Sequence, residues 1–196
     1  MTTSAYAFSF TVGGLFLFEG IELARMRRSG LSWNEVRRTV PGGVFVAKGA
    51  PSSIKRIRNE VIGRISLLDD GELALLAEAG TTDARALMWV AACRKYRILA
   101  EFAFEVLDER LRTYQPEIRA MDFDQHLDAK GVLAEDVARL APSTRQRLRS
   151  VTFRMLREAE ILDAERRVRP LPISGPLHDL LARNRRAGID LIPGGA

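Results

Sequence analysis

The stretch from Ala84 to Leu111, ARALMWVAACRKYRILAEFAFEVLDERL, is apolar on nearly every side of a helix. A helix with a single apolar stripe can lie on a protein surface, but one that is apolar all round must be covered by neighbouring elements. The stretch therefore predicts a central helix, or a helix pair, that is buried on several sides. Arg94 and Lys95 interrupt it and indicate a kink or a boundary between two helices.

Shorter amphipathic patterns, many of them ended by glycine or proline, flank this stretch. They predict helices over about 15–29, 33–40, 51–68, 70–79, 122–130, 134–140 and 142–162, and a last helix capped by Ser174. A chain of 196 residues with 46% hydrophobic and 28% charged residues is able to bury a real core. We therefore expect an all-α protein built as a compact helical bundle.

The segment from Met1 to Phe18 is apolar enough to be tested as a membrane anchor. A spanning helix needs about 20 apolar residues, and this segment is interrupted by Ser9, Thr11, Gly13 and Gly14. No basic region precedes it, which argues against a secretion signal. We expect an apolar arm that packs into the core, and no membrane partner. The single cysteine, Cys93, excludes an intramolecular disulfide and is compatible with the cytoplasm.

The stretch from Pro142 to Ser174 begins with a long amphipathic helix. Ser143 or Thr144 is predicted to cap its first free N–H groups. Apolar residues then recur every three or four positions and predict one buried stripe. The stripe consists of Leu148, Val151, Met155, Ala159 and Leu162.

A basic extended segment, Arg166–Leu171, follows this helix, and Pro170 and Pro172 hold it open. Two short helices, a longer helix and a basic extended segment occur in the order of a winged helix-turn-helix. We therefore predict a C-terminal winged-helix-like unit with a short basic β segment. The predicted division is a helical bundle with an apolar arm over 1–116, the winged-helix-like unit packed on it over 121–187, and a tail over 188–196.

The positive charge of the chain is concentrated near its C-terminus. The net charge is +5, yet residues 142–187 contain 11 arginines against 5 acidic residues, while residues 1–141 contain 19 basic and 19 acidic residues. This asymmetry favours a polyanionic partner, first nucleic acid and then an acidic protein or membrane surface. Arginine outnumbers lysine 26 to 4. Either the bidentate fit of guanidinium to phosphate or a GC-rich genome accounts for this bias.

The predicted DNA contacts are arginines of the C-terminal helix and of the basic segment. They are Arg145, Arg147, Arg149, Arg154, Arg157, Arg166, Arg167 and Arg169. The helical period puts Arg145 and Arg149 together beside the apolar stripe and the other three helical arginines on another flank. Because the sequence lacks paired exposed aromatic residues, a platform for single strands is disfavoured. We expect contacts to the backbone of double-stranded DNA, with limited base readout.

A second basic helix follows Pro51. Its predicted exposed side carries Lys55, Arg56, Arg58 and Arg64, and Glu60 neutralises part of that charge. An ordinary solvated face is the simpler explanation of this pattern. We nevertheless include Lys55, Arg56 and Arg58 among the candidate DNA contacts.

Motifs for catalysis and for metal or cofactor binding are missing from the sequence. It contains no G-x-x-x-x-G-K-[ST], no G-x-G-x-x-G between a strand and a helix, and no G-x-S-x-G. Its two histidines, His126 and His178, lie far from Cys93, and its acidic pairs have no partner motif. We therefore predict a protein that is not an enzyme and has no metal, cofactor or small-molecule substrate.

Several segments in the expected order resemble the BrxA family, the small A-component of BREX bacteriophage-exclusion systems. These are Phe10-Thr-Val-Gly-Gly-Leu-Phe, Lys55-Arg56-Ile57, Arg64-Ile-Ser-Leu-Leu-Asp-Asp, Trp89-x-x-x-Cys93-Arg94-x-Tyr96 with Glu101-Phe102, and Ser143-Thr144 leading to Phe153-Arg-Met-Leu-Arg-Glu-Ala-Glu-Ile-Leu162. The resemblance implies a cytoplasmic, all-helical, non-enzymatic accessory protein of phage defence. It also implies DNA binding, contact with other BREX subunits, and a core similar to the NusB antitermination fold.

Two hypotheses about function remain open at this point. In the first, the protein holds duplex DNA through its basic C-terminal helix and wing. In the second, it is a protein–protein adaptor that assembles the defence complex without touching DNA, and uses its apolar arm or the helix Lys55–Arg64.

Overall fold

The computed structural model describes residues 6–11, 13–39, 44, 51–78 and 80–195. The helices in this part of the chain are α1 Leu17–Arg28, α2 Trp33–Thr39, α3 Pro51–Ile65, α4 Asp70–Glu78, α5 Thr81–Lys95, α6 Arg97–Phe102, α7 Asp108–Arg112, α8 Ala120–Gly131, α9 Glu135–Ala138, α10 Pro142–Glu158 and α11 Gly175–Ala182. A π-helical turn, Ala103–Leu107, joins α6 to α7, and two 3-10 turns, Arg185–Ala187 and Ile189–Leu191, follow α11. The described residues form no sheet. The predicted all-α class is confirmed.

Helix α5 is the centre of the core, as its sequence predicts. Every residue from Ala86 to Cys93 is buried. The helix is covered by α1, α3, α4 and α10. The boundary predicted at Arg94 and Lys95 is also confirmed, because the next residue, Tyr96, is extended (φ −122°, ψ 97°) and α6 then starts at Arg97.

Local capping signals decide where some helices begin. Before α2, the Ser32 amide donates to Glu35 Oε2 (2.8 Å) and the Glu35 amide donates to Ser32 Oγ (3.3 Å), a capping box. The predicted cap of α10 is wrong. That helix begins at Pro142 after Ala141, and no side chain caps it. Proline suits the first helical position since it has no N–H to satisfy there, so the hydroxyl residues fall inside the first turn.

The expected exposure of Arg64 on α3 is wrong. Its side chain is fully buried. Its Nε donates to Glu60 Oε1 (2.8 Å) and its Nη1 donates to the Gly14 carbonyl (2.9 Å). A partner four residues away on the same helix compensates the charge, and the chain between Gly14 and Phe16 covers it.

The basic segment after α10 is held by pairing on both sides. In the described residues, two isolated antiparallel bridges join Leu162 to Val168 and Glu117 to Arg167. The Val168 amide donates to the Pro116 carbonyl (2.8 Å). No extended strand develops from these bridges, because Pro170 has no N–H to continue the pairing.

The C-terminal residues pack against the central helix. Ile189, Leu191 and Ile192 are buried, and Trp89 Nε1 donates to the Leu191 carbonyl (2.9 Å). No helix in the described ranges is both long and apolar enough to cross a membrane.

Candidate nucleic-acid interface

Helix α10 separates its arginines into two groups, because its apolar stripe is buried between them. Leu148, Val151 and Met155 face the core. Arg145 and Arg149 lie on the flank next to α8, while Arg147, Arg154 and Arg157 are on the exposed flank.

The first group is neutralised by α8. The Nη2 of Arg145 donates to Asp128 Oδ1 and to the Asp124 carbonyl (3.2 Å). The Nη1 of Arg149 donates to Asp124 Oδ2. These two arginines therefore tie α10 to α8 and add little net charge to the surface.

The second group has no carboxylate partner among the described residues. Arg147, Arg154 and Arg157 are exposed. Ser143 and Ser150 lie on the same face of the helix as these arginines. The five residues follow one another at alternating spacings of four and three positions, which brings their side chains to one side of the helix. Hydroxyl and guanidinium groups can donate hydrogen bonds to phosphate oxygens.

An arm, described over residues 6–11 and 13–16, crosses this face of α10. Thr11 and Gly13 share with the helix a surface cavity of about 440 Å³, which Gln146, Arg147 and Arg154 also line. The Nη1 of Arg154 donates to the Gly13 carbonyl at a long 3.4 Å. The Leu15 amide donates to Glu158 Oε2 (2.5 Å) and anchors the arm at the end of the helix.

Two glycines give the arm its course. Gly13 has φ +92°, a region that favours glycine, and a Cβ there would lie 1.8 Å from Cζ of Phe16. A Cβ on Gly14 would lie 2.2 Å from Glu158 Oε2. The backbone of Phe16 is also in the left-handed region, at φ 62°. The Arg64 guanidinium stacks on the Phe16 ring, with its Cζ 5.5 Å from the ring centroid. An added Cβ would thus force the Phe16 ring to move at Gly13 and the Glu158 carboxylate to move at Gly14.

A buried polar cluster lies beneath the arm. Glu60 receives hydrogen bonds from Arg64 Nε (2.8 Å), Lys95 Nζ (2.7 Å) and the Tyr96 hydroxyl (2.6 Å). Burial disfavours ionisation of Glu60, but the Arg64 guanidinium and the donated hydrogen bonds outweigh it and lower its pKa. Burial and the hydrogen bond to Glu60 raise the pKa of Tyr96. Ser9 lies 3.0 Å from the Tyr96 hydroxyl, which links the arm to this cluster.

The arm also reaches the second basic helix. Arg56 Nη2 on α3 donates to Thr11 Oγ1 (3.2 Å). Lys55 is exposed beside it. Arg58 is half-buried, and its Nε has no acceptor among the described residues. The cations of α3 and those of the exposed flank of α10 thus lie on either side of one arm.

The three arginines of the segment after α10 lie elsewhere. Arg169 Nε pairs with Asp163 Oδ2 (3.0 Å). Arg167 lines another cavity, of about 660 Å³, with Arg110 and Arg119. Arg166 is exposed at the turn, with φ 62°. None of the three lines the two cavities that border Gly13.

Sequence reasoning missed Arg85 and the polar part of the arm. Arg85 on α5 lines a cavity of about 570 Å³ together with Arg154 and Arg157. No sequence signal could find it, since it stands at the start of the most apolar helix. The signal for Thr11 was its position before two glycines, which predicts a turn.

Features that would hold a metal or an activated thiol were not found in the described ranges. They contain no group of three or more His, Cys, Asp or Glu side chains placed to hold an ion. Cys93 is buried in α5, and burial raises the pKa of its thiol, so the thiol stays protonated at neutral pH.

Comparison with known proteins gives a family and a fold. A family model described as BrxA matches residues 4–185. The crystal structure of an uncharacterized protein from Magnetospirillum magneticum is similar, with a TM-score of 0.79 over 93% of this chain and 95% of that one, at 20% identity. At this identity the likeness shows the fold alone. No curated protein matches the chain.

Proposed function

The chain belongs to the BrxA family, and on this premise we propose that it is a cytoplasmic, non-enzymatic DNA-binding accessory protein of a bacterial anti-phage BREX system. It holds duplex DNA mainly by phosphate contacts and works with other subunits of that system.

The observation that carries the proposal is the exposed flank of α10. Arg147, Arg154 and Arg157 have no described carboxylate partner, in contrast to Arg145 and Arg149. An arginine already paired with a carboxylate must lose that partner before it can bind phosphate. Arg147, Arg154 and Arg157 therefore contribute most to the affinity for DNA. Arg145 and Arg149 hold α10 in its orientation against α8.

The arm extends this surface to α3. Thr11 accepts from Arg56 and borders the same cavity as Arg147. Lys55 lies next to Arg56 on the exposed side of α3. A phosphate backbone that follows the arm would meet cations from two helices, so the two basic patches act as one binding surface.

The order of α8, α9 and α10, followed by the bridged segment, supports a winged-helix-like unit that rests on a NusB-like core. In this arrangement α10 is the helix that faces DNA, and Arg166, Arg167 and Arg169 belong to the wing. Because Arg169 is paired with Asp163, we assign the wing a smaller share of the affinity than the exposed flank of α10.

A pair of matched double variants tests the proposal. R147Q/R154Q removes two unpaired charges, and R145Q/R149Q removes two paired ones. We expect the first variant to weaken duplex binding by about tenfold or more and to reduce the slope of log affinity against log salt by about two. We expect a clearly smaller loss for the second. Fluorescence anisotropy with a blunt duplex at several salt concentrations measures both, and thermal unfolding checks that both variants fold.

Equal losses for the two variants would show that total charge, and not the exposed flank, controls binding. If the wild type does not bind duplex DNA at low salt, the adaptor hypothesis remains. The structure changes where such an adaptor surface would lie. Phe10 and Leu15 of the arm are buried, whereas Val132 and Leu133 between α8 and α9 are 83% and 88% exposed.

A further inference from the structure

The cavity of about 570 Å³ beside the arm combines cationic, aromatic and acidic side chains. It adjoins the cavity on the exposed flank of α10 and shares Gly13 and Arg154 with it. The side chains that matter here are Arg85, Arg154, Arg157, Phe18, Glu158 and Glu160.

The Nε–H donor of Arg85 has no hydrogen-bond acceptor among the described residues. Its side chain is 24% exposed, and its Nη1 lies 3.0 Å from Glu160 Oε1. Its Nε is buried and has no acceptor in the described part of the chain. A buried donor without a partner is unfavourable, and a ligand oxygen in the cavity would satisfy it. Because Arg154 and Arg157 line the same cavity, that oxygen belongs most favourably to a phosphate.

Phe18 gives the cavity a flat apolar face. It is the second residue of α1, and it is 74% exposed. It lines the cavity together with the three arginines and with apolar residues such as Leu17 and Ile57. An exposed aromatic ring next to arginines is a surface on which a nucleic-acid base stacks. The sequence did not predict this exposed ring, because Phe18 ends an apolar run that was expected to pack into the core.

The carboxylates favour a ligand that also has N–H donors. Glu158 accepts from the Leu15 amide through Oε2, and Glu160 pairs with Arg85 through Oε1. Each keeps a second oxygen that can accept. The exocyclic amino group of a base is such a donor, and carboxylates accept from it in cytosine. A bare phosphate would use the arginines alone.

We propose that this cavity binds one unpaired nucleotide, with its phosphate on Arg85, Arg154 and Arg157 and its base on Phe18. The nucleotide is supplied either by the unpaired end of a DNA strand or as a free mononucleotide. The site shares Arg154 and Arg157 with the duplex-binding flank of α10, whereas Phe18 and Arg85 belong to this cavity and not to that flank. Its occupancy can therefore be measured with a nucleotide alone.

Titration with dCMP tests the site directly. Isothermal calorimetry compares the wild type with F18A, R85Q and the control R139Q, which removes an exposed charge that directly follows α9 and pairs with Glu135. We expect F18A and R85Q each to weaken dCMP by about tenfold, the factor for one lost stacking or charge-assisted contact. R139Q keeps the wild-type affinity. Because Phe18 is exposed, F18A leaves the core intact and remains informative if R85Q unfolds.

Three further probes identify what the site recognises. We expect deoxycytidine, which lacks the phosphate, and inorganic phosphate, which lacks the base, each to bind more weakly than dCMP. We then compare a blunt duplex with the same duplex carrying a single-stranded cytosine overhang. If DNA ends supply the nucleotide, the overhang raises wild-type affinity and F18A abolishes the gain. If dCMP binds but the overhang gives no gain, the source is the free nucleotide.

No dCMP binding, together with no gain from the overhang, would overturn the inference. So would equal affinity of F18A and the wild type for both probes. Either result is compatible with strong binding of the blunt duplex, so failure of this site is distinguishable from failure of the proposed duplex binding.

Discussion

Single residues show how context changes what a charged side chain does. Arg64 and Arg139 each sit four residues after a glutamate on a helix. Arg64 and Glu60 are 0% and 7% exposed, while Arg139 and Glu135 are 76% and 73% exposed. The sequence pattern is the same, but only the first pair is removed from water and also bonded to the Gly14 carbonyl.

Removal of the buried arginine should destabilise the fold strongly. We expect R64M to lower the free energy of unfolding by about 3 kcal/mol, because it leaves Glu60 buried with fewer partners. R139Q, the matched change in an exposed pair, should have little effect. Urea unfolding monitored by circular dichroism measures both. Similar stabilities of the two variants would mean that Lys95 and Tyr96 alone compensate Glu60.

At the scale of elements, the arm is the segment that contacts both α3 and α10. It contacts α3 through Arg56 and Arg64 and α10 through Arg154 and Glu158. Its backbone geometry therefore decides whether the cations of α3 and α10 lie on one surface.

Two glycines with positive φ allow the arm's constraint to be measured. Gly13 (φ +92°) faces the Phe16 ring, whereas Gly30 (φ +98°) has nothing within 4 Å of a built Cβ. Alanine at either position should cost about 1–2 kcal/mol of unfolding free energy through backbone strain. G13A should cost clearly more because of the ring. Equal urea-unfolding losses for G13A and G30A would show that the ring moves aside freely.

At the scale of the whole molecule, His126 connects α8 to the core helices that precede it. Its side chain is buried, and Nε2 lies 3.3 Å from the Ile98 carbonyl. Burial and, next, the Lys130 charge lower its pKa from 6.5, against the opposing effect of Glu105 and of the Ile98 carbonyl. The folded protein therefore binds a proton there less readily than the unfolded chain does.

The sign of the pH dependence follows from this shift. The stability linked to a neutral His126 is complete above the unfolded pKa of 6.5 and is lost as the pH falls through that value toward the lower folded pKa. We expect the urea midpoint to fall between about pH 7.5 and about pH 5.5, above the range where carboxylates titrate. H126Q should flatten this change. A wild-type midpoint that does not move over this range would contradict the assignment.

Local patterns predicted much of this protein. The all-round apolarity of residues 84–111 gave the central helix and its break near Lys95, and the capping box gave the start of α2. The charge excess of residues 142–187 gave the region of the proposed interface. The helix and capping signals depend on neighbours within about one or two helical turns, and the charge excess is a sum along the chain, so the sequence is sufficient to find them.

Only the tertiary structure decided which charges meet. Asp124 and Asp128 neutralise Arg145 and Arg149 from another helix, Gly14 and Phe16 bury Arg64, and Arg85 lines one cavity with Arg154 and Arg157. Such pairs are 17 or more residues apart in the chain. Helical period fixes the side of a helix on which a charge lies, but not what packs against that side. For that physical reason the sequence determined where the charge is, and the fold determined which arginines have a carboxylate partner among the described residues.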